Sequence, residues 1–224
     1  MKFYYMYDST FEELKNKCLD SFIDKNKFEL VDINIDTPVF ANDCPLHLKF
    51  GGGFDIWKSR LVYILQIIEK SKEGEPFIFS DVDIVFYRRL LPALNEIYDN
   101  HDIVFLRELY EGIHEPQFGN INFGFNLIRS SEKTHKFFSD ILTQVNETGL
   151  WEQLLINKTL YSNNNYDLKW MLFPPTFFSS SVGIHRLNNE IKDVVLYHAN
   201  AAVTKQQKLE FMHHVDSILD PKCA

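Results

Sequence analysis

The sequence predicts an α/β fold in which a mainly parallel central sheet is flanked by helices. Strand-like and helix-like segments alternate along the chain, the arrangement typical of strand–helix–strand units. The chain has 224 residues, 45% of them hydrophobic and 24% charged, enough for one domain with a substantial core. We therefore expect residues 1–224 to form a single domain, with 204–224 as a C-terminal capping helix.

The predicted strands are short apolar runs, most of them bounded by polar residues or proline. They cover 3–7, 28–35, 77–86, 102–106, 122–129, 170–173 and 194–197. The first strand ends at Asp8-Ser9-Thr10, which combines a good helix N-cap with a polar loop at a strand end.

The predicted helices carry apolar residues at helical spacing, so each has one face for the sheet. They cover about 11–22, 55–69, 91–97 and 132–145, a segment beginning near 151, and about 205–219. A flexible glycine loop is expected at 51–53, directly before the second helix.

Charge and cysteine content exclude several classes of protein. The net charge of −8 argues against a nucleic-acid backbone as partner, although a nucleotide with few phosphates is compatible with it. The three cysteines are odd in number and unpatterned, which indicates neither a disulfide framework nor a zinc site. With no signal-peptide pattern and no apolar run long enough for a membrane span, we expect a cytoplasmic protein.

The most informative segment holds Asp81 and Asp83 inside the apolar run 77–86. Residues two apart in an extended chain face the same side, so the two carboxylates are predicted to converge. Like charges in a poorly solvated place repel, which favours a cation beside them. Oxygen ligands of this kind suit Mg²⁺ or Mn²⁺, and the alternative is a turn with two solvated or capping acids.

Other polar groups are predicted at strand ends, where open α/β sheets bind their ligands. Asp8 and Ser9 follow the first strand, and His198-Ala199-Asn200 follows the last. An imidazole together with two carboxylates is a plausible ligand set for Mn²⁺, and less comfortably for Mg²⁺. We therefore predict that His198 completes a metal site with the aspartate pair.

These features resemble the glycosyltransferases of the GT-A, Rossmann-like fold, including those encoded by large DNA viruses. Asp81-Val82-Asp83 looks like their DxD motif, and His198 resembles their late metal-binding histidine. The strand Asn122-Phe123-Gly124 is similar to their Asn-X-Gly segment, and the start of the helix at Trp151-Glu152-Gln153 is similar to their Asp-Gln segment. The matches cover nearly the whole chain. They imply a nucleotide-diphospho-sugar donor, above all a UDP-sugar, and a carbohydrate or other hydroxyl acceptor.

The resemblance assigns roles to individual residues. It implies metal ligation by Asp81, Asp83 and His198, and catalytic roles for Asp83 and Glu152. The implied donor site consists of Asp8, Ser9, Lys58, Asp81, Val82, Asn122, Gly124, Gln153 and Asn200.

A carboxylate would act as base in an inverting transfer, and the candidates are Glu152 and the loop acids Glu108, Glu111 and Glu115. In a retaining enzyme Glu152 would instead steady the positively charged sugar.

The sequence departs from the family pattern at three positions. Glu152 stands where many relatives have aspartate, Ala201 replaces a glycine, and Lys205 is displaced from the usual phosphate-binding lysine.

Two alternative functions remain open. Asp81-Val82-Asp83 also fits the pattern of haloacid-dehalogenase phosphohydrolases, in which Asp81 would be the nucleophile. A non-catalytic nucleotide-sugar-binding domain would keep the same ligands.

The chain is also rich in aromatic residues, and a sugar-binding cleft would use exposed rings.

Overall fold

A computed structural model describes residues 1–35, 52–97, 101–108, 120–162, 165–179, 193–200 and 204–219, with the side chains of 52–55 left aside. The strands are β1 (Lys2–Tyr7), β2 (Glu29–Asn34), β3 (Pro76–Asp81), β4 (Ile84–Phe86), β5 (Ile103–Glu108), β6 (Ile121–Arg129), β7 (Trp170–Leu172), β8 (Phe177–Ser179) and β9 (Leu196–His198). The helices are α1 (Glu12–Ser21), α2 (Gly52–Lys70), α3 (Leu90–Asn95), α4 (Glu132–Thr148), α5 (Glu152–Ser162) and α6 (Lys205–Ile218).

All nine strands form one sheet in the order β2-β1-β3-β6-β5-β8-β9-β4, with β7 paired to β5 beside β8. Five pairings are parallel: β1 with β2 and β3, β5 with β7 and β8, and β8 with β9. Strand β6 runs antiparallel to both neighbours, and β4 runs antiparallel to β9. The predicted α/β class and mainly parallel sheet are confirmed.

The run 77–86 is two strands, so the prediction of one continuous strand was wrong. Strand β3 pairs with β1, whereas β4 pairs with β9 several strands away in the sheet. Val82 and Asp83 form the bend between them. Polar residues, Ser80, Asp81 and Asp83, lie at the bend or directly before it, but no glycine or proline marks it and the apolar run resumes at once with Ile84.

Two apolar layers cover the sheet. One face carries α1, α3 and α6, packed around residues such as Leu14, Leu90 and Met212. The other carries α2, α4 and α5. Alternate residues of β3 serve the two layers, as the two-residue repeat of a strand requires, with Ile78 facing one and Phe77 and Phe79 the other. No helix in the described residues has both the length and the apolar character needed to cross a bilayer.

Helices α2 and α5 begin at the sheet edge where β3 ends. Helix α2 runs directly into β3 and α5 precedes β7, which is parallel to β5. The start of α2 lies within the loop predicted at 51–53, since α2 includes Gly52 and Gly53. This arrangement brings Arg60 of α2 and Glu152 at the start of α5 close to the end of β3.

Candidate active site

Three predicted metal ligands converge at one corner of the sheet. Asp81 ends β3, Asp83 lies in the bend after it, and His198 ends β9. Pairing of Ile84 with His198, and a hydrogen bond from the Ala199 amide to the Asp83 carbonyl (2.9 Å), set the register. One ligand atom from each of the three side chains lies within 4.8 Å of the others.

The His198 ring presents Nε2 to both aspartates. Nε2 lies 3.1 Å from Asp83 Oδ1 and 3.7 Å from Asp81 Oδ2. The opposite nitrogen, Nδ1, lies 3.0 Å from Asn122 Oδ1, which already accepts a hydrogen bond from the Gly124 amide at 2.8 Å. Because that oxygen can only accept, Nδ1 donates this hydrogen bond, and Nε2 is the ring nitrogen that faces the two carboxylates. Such a donor set calls for a cation, so the residues present fit a divalent metal ion.

Gly124 is required for this ring position. A Cβ atom on Gly124 would lie 2.2 Å from Cε1 and 2.6 Å from Nδ1 of His198, much closer than packed atoms approach. The glycine therefore gives the imidazole its place beside β6.

Glu108 fixes the side chain of Asn122, and Asn122 in turn orients His198. Its carboxylate accepts hydrogen bonds from Asn122 Nδ2 (2.5 Å) and Asn200 Nδ2 (2.7 Å), and only 4% of the residue is exposed. Burial raises the pKa of Glu108 above its ordinary value. The chain Glu108–Asn122–His198 is thus a hydrogen-bonded support behind the metal ligands.

Lys208 of α6 neutralises Asp83. Its ammonium donates to Asp83 Oδ2 and to the Ala199 carbonyl, the latter at 2.9 Å. Burial alone would raise the pKa of Asp83, but the charges of Lys208 and His198 hold that pKa well below its usual range. Asp83 is therefore kept ionised.

Arg60 of α2 joins Asp81 to Glu152. Its Nη2 donates to both oxygens of Asp81 (2.5 and 2.6 Å), and Nη1 donates to Glu152 Oε1 at 3.0 Å. Burial raises the pKa of Asp81 and of Glu152, although the guanidinium opposes that rise. Within the described part of the chain, Glu152 Oε2 is buried and has no hydrogen-bond partner.

A family model for nucleotide-diphospho-sugar transferases matches residues 55–212, which include every one of these side chains. The chain belongs to the nucleotide-diphospho-sugar transferase family. The prediction of a glycosyltransferase enzyme is thereby confirmed. None of the curated proteins matches the sequence.

Solved structures of glycosyltransferases share the fold of this transferase. A glycosyltransferase involved in glycosylation of the major capsid of PBCV-1 superimposes with a TM-score of 0.62 at 12% identity, covering 95% of this chain and 100% of the other. The galactosyltransferase LgtC, in complex with donor and acceptor sugar analogues, gives 0.55 at 12% identity over 97% and 96%. Mouse xyloside xylosyltransferase 1 gives 0.53 at 13% identity over 89% and 97%. The predicted GT-A fold and its likeness to a viral enzyme are confirmed.

The predicted donor-site residues of the transferase occupy different surroundings. Asn122, Gly124 and Asn200 belong to the hydrogen-bonded network around His198, and Val82 is buried between the two aspartates. Gln153 Oε1 accepts a hydrogen bond from the Phe123 amide at 3.1 Å, which ties α5 to β6.

The remaining predicted residues lie on β1 and α2. Asp8 is buried at the end of β1, where its carboxylate accepts from the Thr10 amide at 2.7 Å, and Ser9 beside it is exposed. Lys58 is half-buried in α2, two residues before Arg60.

Sequence reasoning missed Arg60 and Lys208. Both interrupt the apolar stripe of an amphipathic helix: Arg60 lies four residues before buried Ile64, and Lys208 four before buried Met212. A charge at such a position is the signal that would have found them, since buried cations are paired. Lys205, displaced from the position of the usual phosphate-binding lysine, pairs with Glu13 at the surface (3.1 Å).

Among the candidate bases, Glu108 belongs to β5 and its carboxylate supports Asn122. Glu111 and Glu115 lie outside the described residues.

Proposed function

We propose that this transferase moves a sugar from a nucleotide-diphosphate donor, above all a UDP-sugar, to a hydroxyl group of a glycan or other acceptor in a reaction that depends on a divalent metal. The observation that carries the proposal is the approach of His198 Nε2 to both Asp81 and Asp83 at the end of the strands. Asn122 engages the opposite ring nitrogen, so Nε2 is the nitrogen that can join the two carboxylates in holding a divalent cation.

The proposed ligands are Asp81, Asp83 and His198, with Mn²⁺ or Mg²⁺ as the ion. A bound ion of this kind supplies Lewis-acid stabilisation of the charge that develops on a leaving diphosphate. Arg60 and Lys208 support the role of the two aspartates, because each holds one carboxylate in place through a charge-assisted hydrogen bond. Their positive charges also lower the cost of gathering Asp81 with the buried carboxylates of Asp83 and Glu152 at this corner.

Glu152 is proposed to act on the reacting sugars. Oε1 is fixed by Arg60, while the buried Oε2 has no partner in the described ranges and is available to a substrate hydroxyl. Its raised pKa, caused by burial, makes Glu152 a better proton acceptor than an exposed carboxylate. In an inverting reaction it would take the acceptor proton, and in a retaining one it would stabilise the positively charged sugar.

The donor is proposed to extend from this corner along the end of β1 and the start of β6. Gly124, whose missing side chain leaves room for the His198 ring, is proposed to lie along this path. Asp8 and Ser9, beyond β1, are proposed to contact the base or ribose, because β1 and β3 are parallel and end at the same edge. Lys58, Val82, Asn122, Gln153 and Asn200 complete the proposed donor site.

A donor screen tests the proposal. Purified protein is incubated with Mn²⁺ and, separately, with UDP-glucose, UDP-galactose, UDP-N-acetylglucosamine, UDP-rhamnose and UDP-xylose, and released UDP is measured. We expect release from one or more donors that disappears in EDTA and in Asp83→Ala. The control Asp20→Ala, at an exposed site on α1, should retain it.

Two results would favour the alternatives. Stabilisation by UDP and Mn²⁺ without release from any donor would indicate a binding domain. Phosphate release from p-nitrophenyl phosphate that Asp81→Asn abolishes would indicate a phosphohydrolase. The family match does not favour the latter.

A further inference from the structure

We propose that Trp57 and Trp151, hereafter the Trp pair, bind the ring of a neutral acceptor carbohydrate beside Glu152. The inference rests on the proposed glycosyl transfer and adds to it the chemical class of the acceptor and the place where that acceptor binds.

The Trp pair forms an aromatic surface in contact with solvent. The ring centroids lie 6.2 Å apart with an interplanar angle of 59°. Trp151 is 40% exposed and Trp57 is half-buried, while most other large rings of the described residues are in the core. Two neighbouring indoles partly open to water are a common feature of binding surfaces, because the ring offers a large apolar face at small entropic cost.

The Trp pair sits next to the proposed catalytic groups. Trp151 directly precedes Glu152, and Trp57 lies three residues, about 4.5 Å along the helix axis, before Arg60 on α2. The Arg60–Glu152 ion pair at 3.0 Å joins the two helices at this level. Trp57 precedes Arg60 on α2 and Trp151 precedes Glu152, so the Trp pair lies on the side of this ion pair that is toward the starts of both helices.

Polar groups beside the Trp pair fit a sugar. A pyranose has an apolar C–H face that packs on an indole and a rim of hydroxyl groups that need acceptors. Glu152 Oε2, buried and without a partner in the described part of the chain, is such an acceptor one residue from Trp151. The group of Arg60, Asp81 and Glu152 carries two carboxylates and one guanidinium, which disfavours an anionic ring and favours a neutral one.

The alternative role of the Trp pair is structural, holding α2 against α5. A structural role would affect donor hydrolysis and sugar transfer alike, whereas an acceptor site would affect only transfer to the acceptor. Hydrolysis of the donor by water provides the comparison, because it uses the metal and donor sites without a carbohydrate acceptor.

Binding is tested first by saturation-transfer-difference NMR with lactose, maltose, cellobiose and xylobiose, in the presence of UDP and Mn²⁺. Signals are expected from at least one disaccharide with wild-type protein, and their loss in Trp57→Ala and Trp151→Ala. Tyr161→Ala, which removes an exposed ring at the far end of α5, should retain them. Absence of any signal with the wild type, or signals that survive both tryptophan substitutions, would overturn the proposal.

Kinetics then separate this inference from the proposed function. For a disaccharide that binds, each tryptophan substitution should raise the acceptor KM about five- to tenfold, with phenylalanine restoring part of the loss. The KM and kcat of donor hydrolysis should stay unchanged. Equal losses of donor hydrolysis and of sugar transfer in the tryptophan variants would contradict the acceptor role but not the proposed transferase function. A wild-type protein that neither hydrolyses the donor nor transfers the sugar would refute the proposed function itself.

Discussion

The ammonium of Lys208 donates a hydrogen bond to the carboxylate of Asp83, 125 residues earlier in the chain. The contact brings the C-terminal helix α6 to the proposed metal site, and both residues are buried there. Lys208 therefore balances the negative charge of Asp83, one of the carboxylates that would hold the ion. Removal of Lys208 should make the protein more dependent on that ion for its stability.

Lys208→Met is expected to lower the free energy of unfolding in EDTA by about 3 kcal/mol, because Asp83 becomes a buried carboxylate without a fixed cation. Mn²⁺ should recover part of the loss, so the rise in Tm on adding Mn²⁺ is larger for the variant than for the wild type. Thermal unfolding with and without the ion measures both. Lys205→Met, which breaks an exposed pair with Glu13, should change stability by less than about 1 kcal/mol. An identical Mn²⁺ shift in Lys208→Met and wild type would contradict the account.

Glu108→Leu should weaken Mn²⁺ binding although Glu108 is not among the proposed ligands. Without its carboxylate, Asn122 loses the acceptor that fixes its amide and hence the orientation of His198. Loss of such a supporting group reduces metal affinity by about 10- to 100-fold. Electron paramagnetic resonance titration of free Mn²⁺ measures the change. Glu108→Gln keeps an acceptor oxygen and should lie near the wild type, and equal affinities for all three proteins would exclude the supporting role.

Arg60→Lys should reduce kcat for UDP release by about 100-fold through misplacement of two carboxylates. The guanidinium contacts Asp81 and Glu152 through different nitrogens, a geometry that a single ammonium cannot reproduce. Arg88→Lys, at an exposed pair with Asp193, is the matched control and should keep full activity. Wild-type rates in Arg60→Lys would remove Arg60 from the proposed mechanism.

Gly124→Ala should abolish Mn²⁺ binding, because the added methyl group occupies the position of the His198 ring. Gly149→Ala provides the control for backbone strain: its φ of 67° penalises a side chain, but no atom of the described residues lies within 4 Å of the new Cβ. That variant should lose about 1 kcal/mol of stability and keep metal binding. Calorimetric titration with Mn²⁺ distinguishes the two, and tight binding by Gly124→Ala would show that the ring is not needed where the structure places it.

Much of the fold follows from local pattern. The segments around β1, β6 and α4 were predicted to within a few residues, since their hydrophobic repeats match their structure. The split between β3 and β4 was missed because the apolar run resumes directly after Asp83, with no glycine or proline at the bend. Short β8 likewise gave no distinct signal.

The site was predictable only where its residues follow one another or stand at strand ends. Asp81, Asp83 and His198 were found for that reason, and the structure brings them together. Arg60 and Lys208 reach the site from two helices on opposite faces of the sheet. Their convergence depends on tertiary packing, which a short stretch of sequence does not show.

The most direct test of the central claim is calorimetric titration of UDP into the protein in Mn²⁺ and in EDTA, for wild type and Asp83→Asn. If Asp81, Asp83 and His198 hold an ion against a diphosphate, wild-type binding should be at least about tenfold weaker in EDTA, and Asp83→Asn should bind weakly in both. UDP affinity that is the same with and without Mn²⁺ in the wild type would contradict the claim.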